Sequence, residues 1–129
     1  MKQEDKDLLL KDLCARLPYR VVCKCDNINT QGVLKEIESH YNMCILYDTS
    51  EDEYKDCNIF DCRPYLFPLS SMTKEQNKEY AHILVMCSNL ANCQLLDMTV
   101  EDWFRKNHFD YRGLIEKGLA IDATGKSIY

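Results

Sequence analysis

His108, Asp110 and Arg112 alternate along a short stretch that also carries Phe104, Phe109, Tyr111 and the chain's one tryptophan, Trp103. An imidazole, a carboxylate and a guanidinium can together fix the polar groups of a ligand, while flat rings stack on it or anchor a partner. Trp103, His108, Asp110, Tyr111 and Arg112 are therefore the candidate ligand- or partner-binding residues. The same identities also satisfy structural needs. Thr99 and Asp102 make a helix start, Met98 and Trp103 occupy the two positions of a hydrophobic staple, and Arg105, Lys106 and His108 bring positive charge to the helix C-terminus. Asp110 can cap the turn that follows.

Other chemistries find less support. Eight Cys and three His invite a zinc site, but the spacings Cys23-x-Cys25, Cys57 to Cys62 and Cys87 to Cys93 lack the two-residue knuckle of common structural sites. The cysteines read instead as small apolar core residues, with no metal and no cofactor expected. His40, His82 and His108 are scattered and face no recognisable nucleophile turn, so no catalytic residue is assigned. Gly32, Gly113, Gly118 and Gly125 never form a phosphate-binding loop. The acidic pairs Glu51 with Glu53 and Asp56 with Asp61 lack an apolar wall that would raise one pKa for acid catalysis.

The 129 residues carry a formal charge of −5, which argues against a nucleic-acid backbone as partner, because such binding rests on Lys and Arg displacing counterions. The acidic excess is concentrated in residues 48–61, where Asp48, Glu51, Asp52, Glu53, Asp56 and Asp61 face a single Lys55. This run reads as a solvated loop, or more sharply as a docking patch for a basic partner or a divalent-ion site. No run approaches the roughly 18 apolar residues of a membrane span. The charged beginning of the chain leads into no signal core, so a cytoplasmic protein with uncrosslinked thiols is expected.

These residues must be positioned by ordinary elements, and the pattern predicts an α+β protein of one domain over residues 1–129. Leu10, Leu13, Cys14 and Leu17 give a helical stripe over residues 4–17, stopped by Pro18. Alternation over residues 19–26, 32–39 and 41–48 predicts a meander of antiparallel strands, with a short fourth strand around residues 57–62. Pro64 and Pro68 make residues 63–69 an extended segment barred from the middle of a sheet, lying across the core. A capping box at Thr73 and Gln76 starts a helix whose inward stripe is Tyr80, Leu84, Cys87 and Ala91, with Asn89 and Asn92 near its end. The expectation is a small antiparallel sheet or partly closed barrel of about four strands, packed with an N-terminal helix and two to three C-terminal helices.

Three segments, LLKDLCARLPY over residues 9–19, RPYLFPLSSMTKEQ over residues 63–76 and HFDYRGLIEKGLAI over residues 108–121, resemble a family of small uncharacterised proteins encoded in gut bacteria and their phages or prophages. The resemblance implies a setting and carries no activity to transfer; residues 23–62 are not matched closely. Together the observations point to a small non-enzymatic accessory protein that binds a host or phage protein through the aromatic-rich C-terminal face. The rival readings are a binder of a small nucleotide-like ligand at the same face and, less favoured, a cysteine-dependent enzyme.

Overall fold

The structure, a computed structural model, describes residues 1–88 and 99–129. Its described part contains three α-helices and one six-stranded mixed sheet. Helix α1 (Gln3–Arg16) has Glu4 and Asp5 in its first turn and Arg16 in its last, complementing the helix dipole. Residues Leu17–Tyr19 form a single 3-10 turn, and Arg20 takes a left-handed conformation that swings the chain into the sheet. The inward face of α1 is not the predicted one. Leu9, Asp12, Leu13 and Arg16 are buried, while Cys14 is exposed. The helix is turned by about one residue because Asp12 and Arg16 satisfy each other inside, a pairing that an apolar periodicity cannot register.

Strands β1 (Val22–Cys25), β2 (Thr30–Glu38) and β3 (Met43–Asp48) form the expected antiparallel meander, and β4 (Glu53–Asn58) extends it, in place of the short strand expected around residues 57–62. In β3 the smaller face turns inward: Cys44 and Leu46 are almost wholly buried, whereas Met43, Ile45 and Tyr47 point outward and are only half-buried. Gly32 lets β2 and β3 approach closely, since a Cβ there would lie 2.5 Å from the Tyr47 carbonyl oxygen. A bulge between Leu34 and Glu36 shifts the register of this pair and bends it.

The strand count and closure differ from expectation. Residues 48–61 are not a loop but hold the β3–β4 turn and all of β4; a charged edge strand with one outward tyrosine lacks the apolar signature of a strand. A 3-10 turn at Ile59–Asp61 then leads straight into β5 (Cys62–Leu66), which pairs antiparallel with β1. Pro64 is therefore inside the sheet, opposite Cys23, and not on a segment crossing the core. It is tolerated because β6 (Ile121–Asp122), parallel to β5, pairs only with Tyr65 and Leu66, so no ladder on that side needs the missing N–H. The order is β4-β3-β2-β1-β5-β6, an open sheet of six strands and not a barrel of about four. It is nonetheless strongly coiled. Cys44 on β3 and Cys62 on β5 are three strand positions apart, roughly 14 Å in a flat sheet, yet their Sγ atoms are 3.5 Å apart.

One core lies between α1 and the inner face of the sheet and takes in Leu114, Leu119 and Ala120 from the C-terminal segment. A second, aromatic core joins helix α2 (Lys74–Cys87), helix α3 (Val100–Lys106) and Phe67. Both helices begin with the predicted reciprocal caps: Thr73 with Gln76, and Thr99 with Asp102. The inward residues of α2 are Tyr80 and Ile83, not Leu84, which is exposed. Ala91, Asn89, Asn92, Cys93 and Met98 lie outside the described residues. No described helix is long and apolar enough to cross a membrane.

Candidate functional site

Trp103, His108, Asp110, Tyr111 and Arg112 come together as a clasp that ties the C-terminal segment to α1 and α2. Trp103 is 3% exposed and stacked between Tyr80 and Phe109, with ring centroids 5.7 and 5.6 Å away. The Asp110 carboxylate is buried and accepts the backbone N–H groups of Leu114 at 2.8 Å and Ile115 at 2.9 Å, the capping role its position suggested. Tyr111 stacks on Phe104 and is approached by the guanidinium groups of Arg16, Arg105 and Arg112. Arg105 Nε also donates to its hydroxyl at 2.8 Å.

The centre of this clasp is a residue pair that helical periodicity misplaced. Asp12, fully buried, accepts from Arg16 Nε at 2.7 Å and from Arg112 Nε at 3.1 Å. Arg16, also fully buried, donates through Nη2 to the Phe109 carbonyl at 2.7 Å, leaving Nη1 without a partner. His108 follows in a left-handed conformation (φ 61), stacked on Tyr129 with centroids 3.7 Å apart, and its Nδ1 is buried without a partner. Burial, and then the nearby Arg16 charge, lowers its pKa to about 4. The ring is neutral at physiological pH. Of the groups read as ligand-fixing, Asp110 and Arg112 are thus hydrogen-bonded within this chain and His108 is stacked on Tyr129, while the rings that were to stack on a ligand stack on one another.

Five thiols are equally internal. Cys23, Cys25, Cys44, Cys57 and Cys62 are buried, and none of them forms a disulfide. Contact with Cys44, and then burial, pushes the Cys62 thiol well up, and burial with the neighbouring Cys25 pushes Cys57 up to about 12. Held protonated, Cys57 and Cys62 are poor nucleophiles, while the same contact with Cys62 lowers the pKa of Cys44, whose side chain is buried. Neither His40 nor His82, both exposed, stands beside them as a base.

What the fold leaves facing solvent is the outer side of β2, β3 and β4. The register places Val33, Tyr47 and Tyr54 in one row across it, Glu36, Ile45 and Asp56 in the next, and Glu38, Met43 and Asn58 in the last. Tyr54 is 69% exposed, and Tyr41 at the sheet end 71%. Glu36, Glu38, Met43, Ile45 and Asp56 line a groove of about 210 Å³. Part of the acidic run is spent on structure. Asp48 holds the turn through the Ser50 N–H at 3.0 Å and hydroxyl at 2.6 Å, and Lys55 bonds Glu51 at 2.6 Å on the opposite side of the sheet from Tyr54. Asp52 accepts from the Tyr47 hydroxyl. The Lys35 ammonium sits 5.9 Å from the centroid of the outward Tyr47 ring. No sequence signal could have marked this face, because Glu36 and Glu38 belong to one predicted strand and Asp56 to a predicted loop.

Compared with known proteins, the chain matches no family model, no curated protein and no solved structure.

Proposed function

We propose that this chain is a non-enzymatic binding module that takes a basic segment of a partner protein on the outer face of β2, β3 and β4. The observation that carries the reading is the combination on that face of solvent-facing Met43, Ile45, Tyr47 and Tyr54 with the carboxylates of Glu36, Glu38 and Asp56 around one groove. Apolar surface rimmed by charge of one sign is the ordinary composition of a docking site, with the rim steering an oppositely charged partner. The occupant that fits is an extended segment that carries Lys or Arg and aliphatic residues in turn at every second position, so that both point to the groove. Its cations meet the three carboxylates while its apolar side chains cover Met43 and Ile45. The C-terminal aromatics serve this face indirectly, as the packing that fixes the sheet. The resemblance of residues 9–19, 63–76 and 108–121 to small proteins of gut bacteria and their phages favours a host or phage protein as the source of that segment.

The test uses a probe peptide with Lys and Val in turn at every second position and Ser between them, titrated into the full-length protein and followed by amide chemical shifts. Binding is expected to perturb residues of β2, β3 and β4, to weaken steeply between low and physiological salt, and to be lost when Glu36→Lys and Asp56→Lys are combined. Both side chains are exposed, so the doubly substituted protein should fold. Shifts confined to residues 103–112, or undiminished binding by that variant, would refute the assignment.

A further inference from the structure

The coiling of the sheet does something in the core that residue spacing concealed. Cys25 and Cys62 are directly opposed on β1 and β5, and Cys44 and Cys57 are directly opposed on β3 and β4. Because the sheet curls, these two cross-strand pairs meet. The Sγ atoms of Cys25, Cys57 and Cys62 all lie within 4.8 Å of one another, and that of Cys44 is 3.5 Å from Cys62. Among the described residues Cys25, Cys57 and Cys62 are the one group of His, Cys, Asp or Glu side chains compact enough to hold a metal ion, and Cys44 adjoins them through Cys62. Four ligands at the usual zinc–thiolate length of about 2.3 Å have sulfurs about 3.8 Å apart in a tetrahedron. The 3.5 Å between the sulfurs of Cys44 and Cys62 is close to that value.

We propose that Cys25, Cys44, Cys57 and Cys62 form a structural site for a thiophilic d10 cation, Zn²⁺ in the first instance, clamping β1, β3, β4 and β5 at the end of the sheet where they converge. Four strands contribute one thiolate each, so no pair shows the short knuckle spacing that marks zinc ribbons and fingers. A core that needed only small apolar groups would be served as well by Ala or Val; what distinguishes this one is that the thiols touch one another. A metal binds thiolates, so loading the site releases protons to solvent and weakens as pH falls.

The experiment is a titration of the reduced, metal-free, full-length protein with Co²⁺, then Zn²⁺. The expected result is a thiolate-to-cobalt charge-transfer spectrum with the visible bands of a tetrahedral ion, saturating at one equivalent and bleached by Zn²⁺. Zinc should also protect these four thiols from alkylation, counted by mass spectrometry, while exposed Cys14 still reacts. In Cys57→Ser, affinity should fall by at least about a hundredfold, since even an indirect partner of a metal ligand is worth tenfold to a hundredfold; Cys14→Ser should bind as the native protein does. Should Cys57→Ser fail to fold, the spectrum and the thiol count of the native chain decide alone. An octahedral cobalt spectrum would assign the ion to surface carboxylates and overturn the site. No spectrum together with unprotected thiols, or full affinity in a folded Cys57→Ser protein, would overturn it equally.

Discussion

Replacing Asp12 by Ala removes the hub on which the C-terminal segment hangs. In the native protein its buried carboxylate pairs with Arg16 at 2.7 Å and Arg112 at 3.1 Å, and Arg16 in turn holds the Phe109 carbonyl. Without Asp12, the fully buried Arg16 keeps one hydrogen bond and no counter-charge. Stripping one partner from a buried pair costs about 3–5 kcal/mol, because the remaining ion stays desolvated. Against a total stability of about 5–15 kcal/mol that is a large fraction. With a urea slope of about 1–3 kcal/mol per molar, the midpoint should fall by about 2 M. The loss should be nearly the same at high and low salt, since a buried pair is poorly screened. Hydrogen exchange should show the earliest loss of protection in residues 108–115. The double variant Asp12→Leu/Arg16→Met, which removes both charges, should recover at least half of the lost stability. A cost below about 1 kcal/mol for Asp12→Ala, or a double variant as unstable as the two single changes added together, would refute the claim that this pair organises the fold.

Two further expectations concern neighbouring features. His108 has a folded pKa near 4, below the 6.5 of an unfolded histidine. The unfolded chain therefore binds the proton first as pH falls, and stability present above pH 6.5 should decline between pH 6.5 and 4. His108→Asn, which suits the left-handed backbone and does not titrate, should flatten the stability profile in that window; an unchanged slope in urea unfolding across these pH values would count against the buried, neutral ring. Gly32→Ala forces a Cβ against the Tyr47 carbonyl oxygen, and the strands must separate at a cost of about 1–3 kcal/mol. A thermal midpoint equal to that of the native protein would show that the close approach is not needed.

Local rules were legible wherever the chemistry was local. The reciprocal caps at Thr73 and Thr99, the capping role of Asp110 and the alternation of β1 and β3 each depend on residues a few positions apart, and each is found. Alternation alone could not say which side of β3 faces the core. In the event Cys44 and Leu46 go in, and the bulkier Met43, Ile45 and Tyr47 go out. Acidic β4 and proline-bearing β5 were hidden because charge and a missing N–H argue against strands in general. Here β4 is an edge, and β5 is paired on its far side only beyond Pro64.

By itself the sequence determined an acidic α+β chain with capped helices and an antiparallel meander, since composition, periodicity and capping act over one or two turns of chain. Tertiary structure decided the rest. It turned α1 to bury Asp12 and Arg16, drew Trp103 and Asp110 inward from a supposed binding face, and coiled the sheet until thiols from four strands met. Those outcomes depend on which distant groups satisfy a buried charge or fill a space, and that information is held in contacts such as Asp12 with Arg112 and Cys44 with Cys62, not in any window of neighbouring residues.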